Sequence, residues 1–162
     1  MPSPLTPPQR DLVHEFGSIY EQYGFQRLKG LLVGLLLIQP DPLSLDDMAD
    51  LLGRSKGPIS TAIRDLSATG LVRKVDGENA RRDYYAAHPD LFLNNFKHNM
   101  AIVRKNRRTA EQFLSEMDGD DANAEAVRNL RQMEAFYTLM ESFYRDFAER
   151  WEAEASRLNG RA

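Results

Sequence analysis

Apolar residues recur at steps of three and four near the start of the chain: Leu12, Val13, Phe16, Ile19, Tyr20 and Tyr23. That spacing predicts an amphipathic helix over residues 10 to 23, ended by Gly24. The next stretch differs in kind. Between Gln26 and Ile38, the residues Leu28, Leu31, Leu32, Val33, Leu35, Leu36 and Leu37 cover nearly every side of a helix, which predicts a segment buried all round. Pro40 and Pro42 stop it. Ser44 then opens a short helix, with Asp46 and Asp47 in its first turn and Met48, Ala49, Leu51 and Leu52 as its apolar side. Gly53 supplies the left-handed residue past its end. Ser55 caps one more helix, whose inward positions are Ile59, Ile63 and Leu66. Pro58 fits in its first turn, where a backbone N–H has no intrahelical acceptor to lose.

After Gly70 the period changes to two. Residues 71–75 (LVRKV) alternate as a half-buried strand, residues 76–80 (DGENA) form a turn, and residues 81–87 (RRDYYAA) return as a second strand. Helix, turn, helix and charged hairpin, in that order, make a winged helix-turn-helix arrangement. From Pro89 a long helix runs to about Met117, with Phe96, Met100, Val103, Ala110, Phe113 and Met117 at helical steps. Residues 118–121 (DGDD) break it, and a last helix extends from about Ala122 to Leu158, roughly 55 Å at 1.5 Å per residue.

Composition narrows the chemistry. The chain of 162 residues has no cysteine, which removes disulfides, thiolate metal sites and cysteine nucleophiles together. His14, His88 and His98 are scattered with no second ligand at metal spacing, so no metal site is expected. No Gly-rich phosphate loop or nucleophile–His–acid set occurs, so neither catalysis nor a cofactor is expected. The apolar run from Leu31 to Ile38 is far short of the ~20 residues that span a bilayer. The Pro-rich beginning lacks an export pattern, and no membrane association and a cytoplasmic location are expected.

Net charge is −3, but unevenly spread. Residues 54–85 carry seven basic and four acidic side chains, whereas residues 109–162 carry six basic and twelve acidic. A polyanion is therefore expected to meet the middle of the chain. There, if Ile59, Ile63 and Leu66 face inward, Lys56, Ser60, Thr61 and Arg64 face out. Small hydroxyls allow close approach to a major groove, and an arginine can grip guanine O6 and N7 bidentately. Gly57, beside Ser55, lets the helix N-terminus come close to a phosphate. On the hairpin, Lys74, Asn79, Arg81 and Arg82 are candidates for the backbone or the minor groove, with Arg81 expected at the tip. Arg82 could instead pair with Asp83 and stiffen the hairpin.

The stretch from Gln26 to Phe92 carries "LGRSKGPISTAIRDLSATGLV" and then "RRDYY". It resembles the DNA-binding core of MarR-type regulators, and within them the GbsR-like branch. The resemblance implies a homodimeric bacterial or archaeal transcription regulator, usually a repressor released by a small ligand. It assigns Lys56, Ser60, Thr61 and Arg64 to a recognition helix, and Arg81 and Arg82 to the wing.

On the last helix, Met133, Tyr137, Met140, Tyr144, Phe147 and Trp151 alternate by four and three, a heptad-like seam that predicts packing against a second copy of the chain. Phe136 and Phe143, with Tyr144 and Trp151, are an alternative aromatic wall for a quaternary ammonium or lipid-like ligand. Residues 104–108 (RKNRR) are read as a solvated face or as a contact for DNA or for the acidic tail of a partner copy.

The expected fold is thus mainly α: a winged helix-turn-helix with a two-stranded β wing and long N- and C-terminal dimerisation helices. Its expected divisions are a flexible arm (1–9), an N-terminal dimerisation helix (10–25), the winged DNA-binding domain (26–88) and a helical dimerisation region (89–162). The expected function is sequence-specific binding of double-stranded DNA by a homodimer at a near-palindromic operator. The rival is a protein-interaction module that uses a winged domain without reading DNA.

Overall fold

The structure is a computed structural model and describes residues 3–117, 119 and 121–160. Met1 and Pro2 of the expected arm, Asp118 and Asp120 of the expected break, and the last two residues lie outside the described residues. The chain divides into two compact units, residues 1–94 and 95–162.

In the first unit, α1 (Pro7–Gln22) begins three residues earlier than the apolar spacing predicts. Thr6 and Gln9 form a capping box, in which the Thr6 backbone N–H donates to Gln9 Oε1 at 2.9 Å. Pro7 and Pro8 then occupy the first two helical positions, where their missing N–H groups leave no helix bond unmade. Leu5 is buried beside the core. Residues 5–9 are therefore a folded helix start and not an arm; the proline count alone misled.

The second helix, α2 (Arg27–Ile38), buries every residue from Gly30 to Leu36. It packs on α1, on the later helix α4 (Lys56–Ala68) and on the later strand β3 (Tyr84–Ala87). The α1–α2 contact is close because Gly30 lies against the α1 backbone: a Cβ there would sit 2.3 Å from the Phe16 carbonyl oxygen. Gly34 and Gly17 line the same crossing. Val13, Phe16 and Tyr20 of α1 pack on the core, while Leu12, Ile19 and Tyr23 stay exposed within one copy of the chain.

A two-residue strand, β1 (Leu43–Ser44), follows. Its Ser44 is also the N-cap of α3 (Leu45–Leu52), in a reciprocal box with Asp47: the Asp47 N–H donates to Ser44 Oγ at 3.2 Å, and the Ser44 N–H to Asp47 Oδ2 at 2.9 Å. Gly53 ends α3 at φ +60, the left-handed conformation expected of it. Helix α4 buries Ile59, Ala62, Ile63 and Leu66.

Strands β2 (Val72–Val75) and β3 pair antiparallel, Val72 with Ala87 through Val75 with Tyr84. The expected two-stranded wing is joined by β1, which pairs with β3 (Leu43 with Tyr85, Ser44 with Tyr84) to give the order β1-β3-β2. At the far end of the hairpin, Asn94 of the next helix donates from Nδ2 to the Gly70 carbonyl at 2.8 Å. The Asp90 N–H donates to His88 Nδ1 at 3.0 Å, so that imidazole nitrogen is an acceptor and His88 serves a turn.

The second unit contains most of α5 (Leu91–Met117), a 3₁₀ turn (Asp121–Asn123) and α6 (Ala124–Asn159). Phe96 of α5 stacks on Tyr144 of α6 at a centroid distance of 4.4 Å and meets Phe147 at 4.6 Å. Glu141 accepts from Arg104 Nε at 3.0 Å and Arg107 Nε at 2.7 Å. Those two bonds, led by Arg107, hold the Glu141 carboxyl below the usual carboxylate range. Two residues of the basic run therefore clamp α5 to α6 in place of a fully solvated face.

Gly30→Ala should destabilise the first unit by roughly 1–3 kcal/mol or more, because the obstructing atom is backbone and cannot rotate away. Urea unfolding followed by circular dichroism checks it; an unchanged midpoint would mean that α1 and α2 separate at no cost.

Candidate nucleic-acid interface

The candidate surface is built by α4 and the hairpin, both within the first unit. Because α4 fixes its inward side with Ile59, Ala62, Ile63 and Leu66, its other side is set by the 100° step per residue. Lys56, Gly57, Thr61 and Arg64 are exposed there and Ser60 is half-buried, the outward set expected from the sequence. The Arg64 guanidinium makes no hydrogen bond or ion pair with any described residue. Thr61 donates to the Gly57 carbonyl at 3.4 Å, a long local bond that a better acceptor can replace.

Ser55 holds the N-cap position with extended backbone, but its hydroxyl makes no capping bond to the helix. The N–H groups of the first turn are left open by the protein, and nothing lies within 4 Å of a Cβ built on Gly57. An open first turn with a bare glycine is suited to a phosphate oxygen. Lys56 is the exception to this freedom: its Nζ lies 2.8 Å from Asp46 Oδ1 in the first turn of α3. That hydrogen bond, with Lys56 and Arg82 charges adding to it, lowers the Asp46 pKa.

The wing differs from expectation in detail. Strand β3 starts at Tyr84, so Arg81 and Arg82 lie in the loop and not on the return strand. Asn79 explains this: its Oδ1 accepts the Arg81 N–H at 2.9 Å, and its carbonyl accepts the Arg82 N–H at 3.0 Å. Those two amides are thereby withdrawn from any strand ladder. The Asn79 side chain shapes the loop, while Arg81 and Arg82 are exposed on it. Asp83 pairs with Lys74 across the hairpin base at 2.7 Å, not with its neighbour Arg82. This contact raises the Lys74 pKa and leaves both loop arginines without an ion-pair partner among the described residues.

The seam expected on α6 divides in two. Met133, Tyr137, Met140, Tyr144 and Trp151 are half-buried, and Tyr144 and Phe147 are spent on Phe96 of the same chain. The most exposed large apolar residues of α6 are Phe136 (58% exposed), Leu139 (73%) and Phe143 (62%), at i, i+3 and i+7. Leu139, which the heptad spacing omitted, belongs to this row; its signal was the alternative register through Phe136 and Phe143. Phe136 and Phe143 make edge contacts with Tyr137 and Tyr144, but no closed cage forms around them in one chain. No cluster of three or more metal-ligating side chains occurs among the described residues, and no described helix is long and apolar enough to cross a membrane.

No protein-family model matches the chain. Whole-chain comparison does find relatives. The HTH-type transcriptional regulator MmpR5 of Mycobacterium tuberculosis is 28% identical over 142 residues, covering 87% of this chain and 85% of that protein. The HTH-type transcriptional repressor GbsR of Bacillus subtilis is 27% identical over 139 residues, covering 78% of this chain and 77% of its own length. Among solved structures, a transcriptional regulator with 27% identity superposes with a TM-score of 0.77, covering 91% of this chain and 99% of that one. None of these relatives carries an enzyme's name. With likeness running over most of its length, and with α3, α4 and the β2–β3 hairpin in winged helix-turn-helix order, the chain is similar to HTH-type transcriptional regulators and has a winged helix-turn-helix fold of the MarR type.

Proposed function

We propose that the protein is a sequence-specific repressor that binds double-stranded DNA as a homodimer, seating α4 of each copy in successive major grooves. The observation that carries this reading is the exposed face of α4, on which Arg64 stands unpaired beside Ser60, Thr61 and an open, glycine-bearing helix start. An unpaired arginine on a rigid helix keeps its donors available for a guanine edge. Arg81 and Arg82, exposed on the Asn79-shaped loop, would follow the adjacent backbone or minor groove. The sign of regulation follows the name of the GbsR relative, a repressor.

The homodimer is supported by the row Phe136, Leu139 and Phe143, a patch too apolar to be left in water by a stable protein. Two copies joined there would present two α4 helices about 34 Å apart to a near-palindromic site. In this reading the same aromatics, with Tyr144 and Trp151 behind them, are where a quaternary ammonium or lipid-like ligand would be met, shifting the spacing of the two helices.

Fluorescence anisotropy against the protein's own upstream region and a scrambled duplex tests the DNA reading. Arg64→Ala should weaken the preferred duplex by about 1–3 kcal/mol while leaving the scrambled one nearly unchanged. Gly57→Ala should be stable to urea yet lose about tenfold in affinity, ~1.4 kcal/mol, since its Cβ meets no protein atom but stands where a phosphate would approach. Equal losses on both duplexes, or none, would favour the protein-docking alternative. For the dimer, Leu139→Glu with Phe143→Glu should convert the protein to a folded monomer in sedimentation analysis, with affinity for a two-half-site duplex falling at least tenfold. A dimer that survives this change would place the interface elsewhere.

A further inference from the structure

Asp46 is an acidic residue beside the start of the helix proposed to enter the groove. It stands in the first turn of α3, half-exposed, with its Oδ1 2.8 Å from Lys56 Nζ at the start of α4. It also lies within electrostatic reach of Arg82 on the wing loop. Its stability role is modest: the α3 box is made by Ser44 and Asp47, and needs nothing from Asp46. An exposed lysine–carboxylate pair contributes little to folding, so it is also easily exchanged for another partner. Between the recognition helix and the wing, a carboxylate repels the phosphates that every duplex brings, whatever its sequence.

We propose that Asp46 is a specificity-determining residue that holds Lys56 away from DNA in sequence-independent complexes and releases it only when α4 is seated in the groove. The inference rests on the DNA-binding reading above. In a loosely held, sequence-independent complex, affinity comes almost wholly from phosphates neutralised by lysine and arginine. There Lys56 stays on Asp46 and neutralises none. When Arg64 and its neighbours engage base edges, the start of α4 is pressed against the backbone, and a phosphate oxygen can take the ammonium from the carboxylate. The pair thus lowers binding to the vast excess of wrong sites more than to the right one, which is the ratio that matters in a genome.

The test is the salt dependence of binding to a short scrambled duplex, for the full-length protein and its variants. Asp46→Asn should tighten that binding several-fold and steepen the log–log salt slope by about 0.9 for each protomer, one more phosphate neutralised. In a Lys56→Met background the same change should have far less effect, because there is no cation to release. Asp50→Asn, on the same helix but outside the pair, separates a general change of charge from this exchange and should leave the slope unaltered. An unchanged slope in Asp46→Asn, or an equal gain with Lys56 removed, overturns the proposal while DNA binding stands. A wild-type protein that binds neither its upstream region nor the scrambled duplex overturns the DNA-binding reading and this inference with it.

Discussion

A helix that is apolar on every side has to be enclosed, and the first unit is arranged around that constraint. From Gly30 to Leu36, α2 offers no polar stripe to water, so α1, α4 and β3 each cover part of it. Glycines at the α1 crossing let two backbones meet where side chains would hold them apart. Covering α2 also fixes α4, because Ile59, Ile63 and Leu66 must point at the shared core. The outward direction of Arg64 is the consequence of that burial. The face proposed above to meet DNA is thus aimed by buried residues that lie on the opposite side of the helix.

Around this core the polar groups are handled in two ways. Backbone donors at element ends are taken by short side chains: Ser44 and Asp47 for α3, Thr6 and Gln9 for α1, Asn79 in the wing loop. Several long cations are held by carboxylates: Lys29 on Asp65, Lys74 on Asp83, Arg107 on Glu141. On α4 the picture is mixed, since Lys56 is held by Asp46 while other groups stay open. The Ser55 hydroxyl makes no capping bond, Gly57 is bare, and Arg64 has no hydrogen-bond or ion-pair partner among the described residues. Open donors beside a bare glycine on a rigid helix are suited to an external acceptor.

The periodicity of Leu12 to Tyr23, the continuous leucines of α2, and the Ser44, Gly53 and Ser55 punctuation carried the helical plan, since each rests on local steric and capping rules. The start of α1 was hidden because a capping box licenses the prolines that composition alone takes as helix-breaking. Strand β1 was hidden because two residues are too few to display a period. The wing strand was placed too early because Asn79 diverts the Arg81 and Arg82 amides, a bond between a side chain and a later backbone that no alternation pattern encodes. The outward α4 residues were legible from helix geometry. The Lys56–Asp46 pair was not, since it joins two elements across a turn.

The α6 seam exposes a different limit. A heptad spacing says that one side of a helix is apolar, but not which neighbour covers it. On α6 two apolar rows run side by side, and Phe96 of α5 claims the one that holds Tyr144 and Phe147. What remains is the row of Phe136, Leu139 and Phe143, bulky and uncovered within a single chain. That row lies on a helix of 36 residues. In the homodimer proposed above, a second copy related by a two-fold axis would meet this row with the same row of its own.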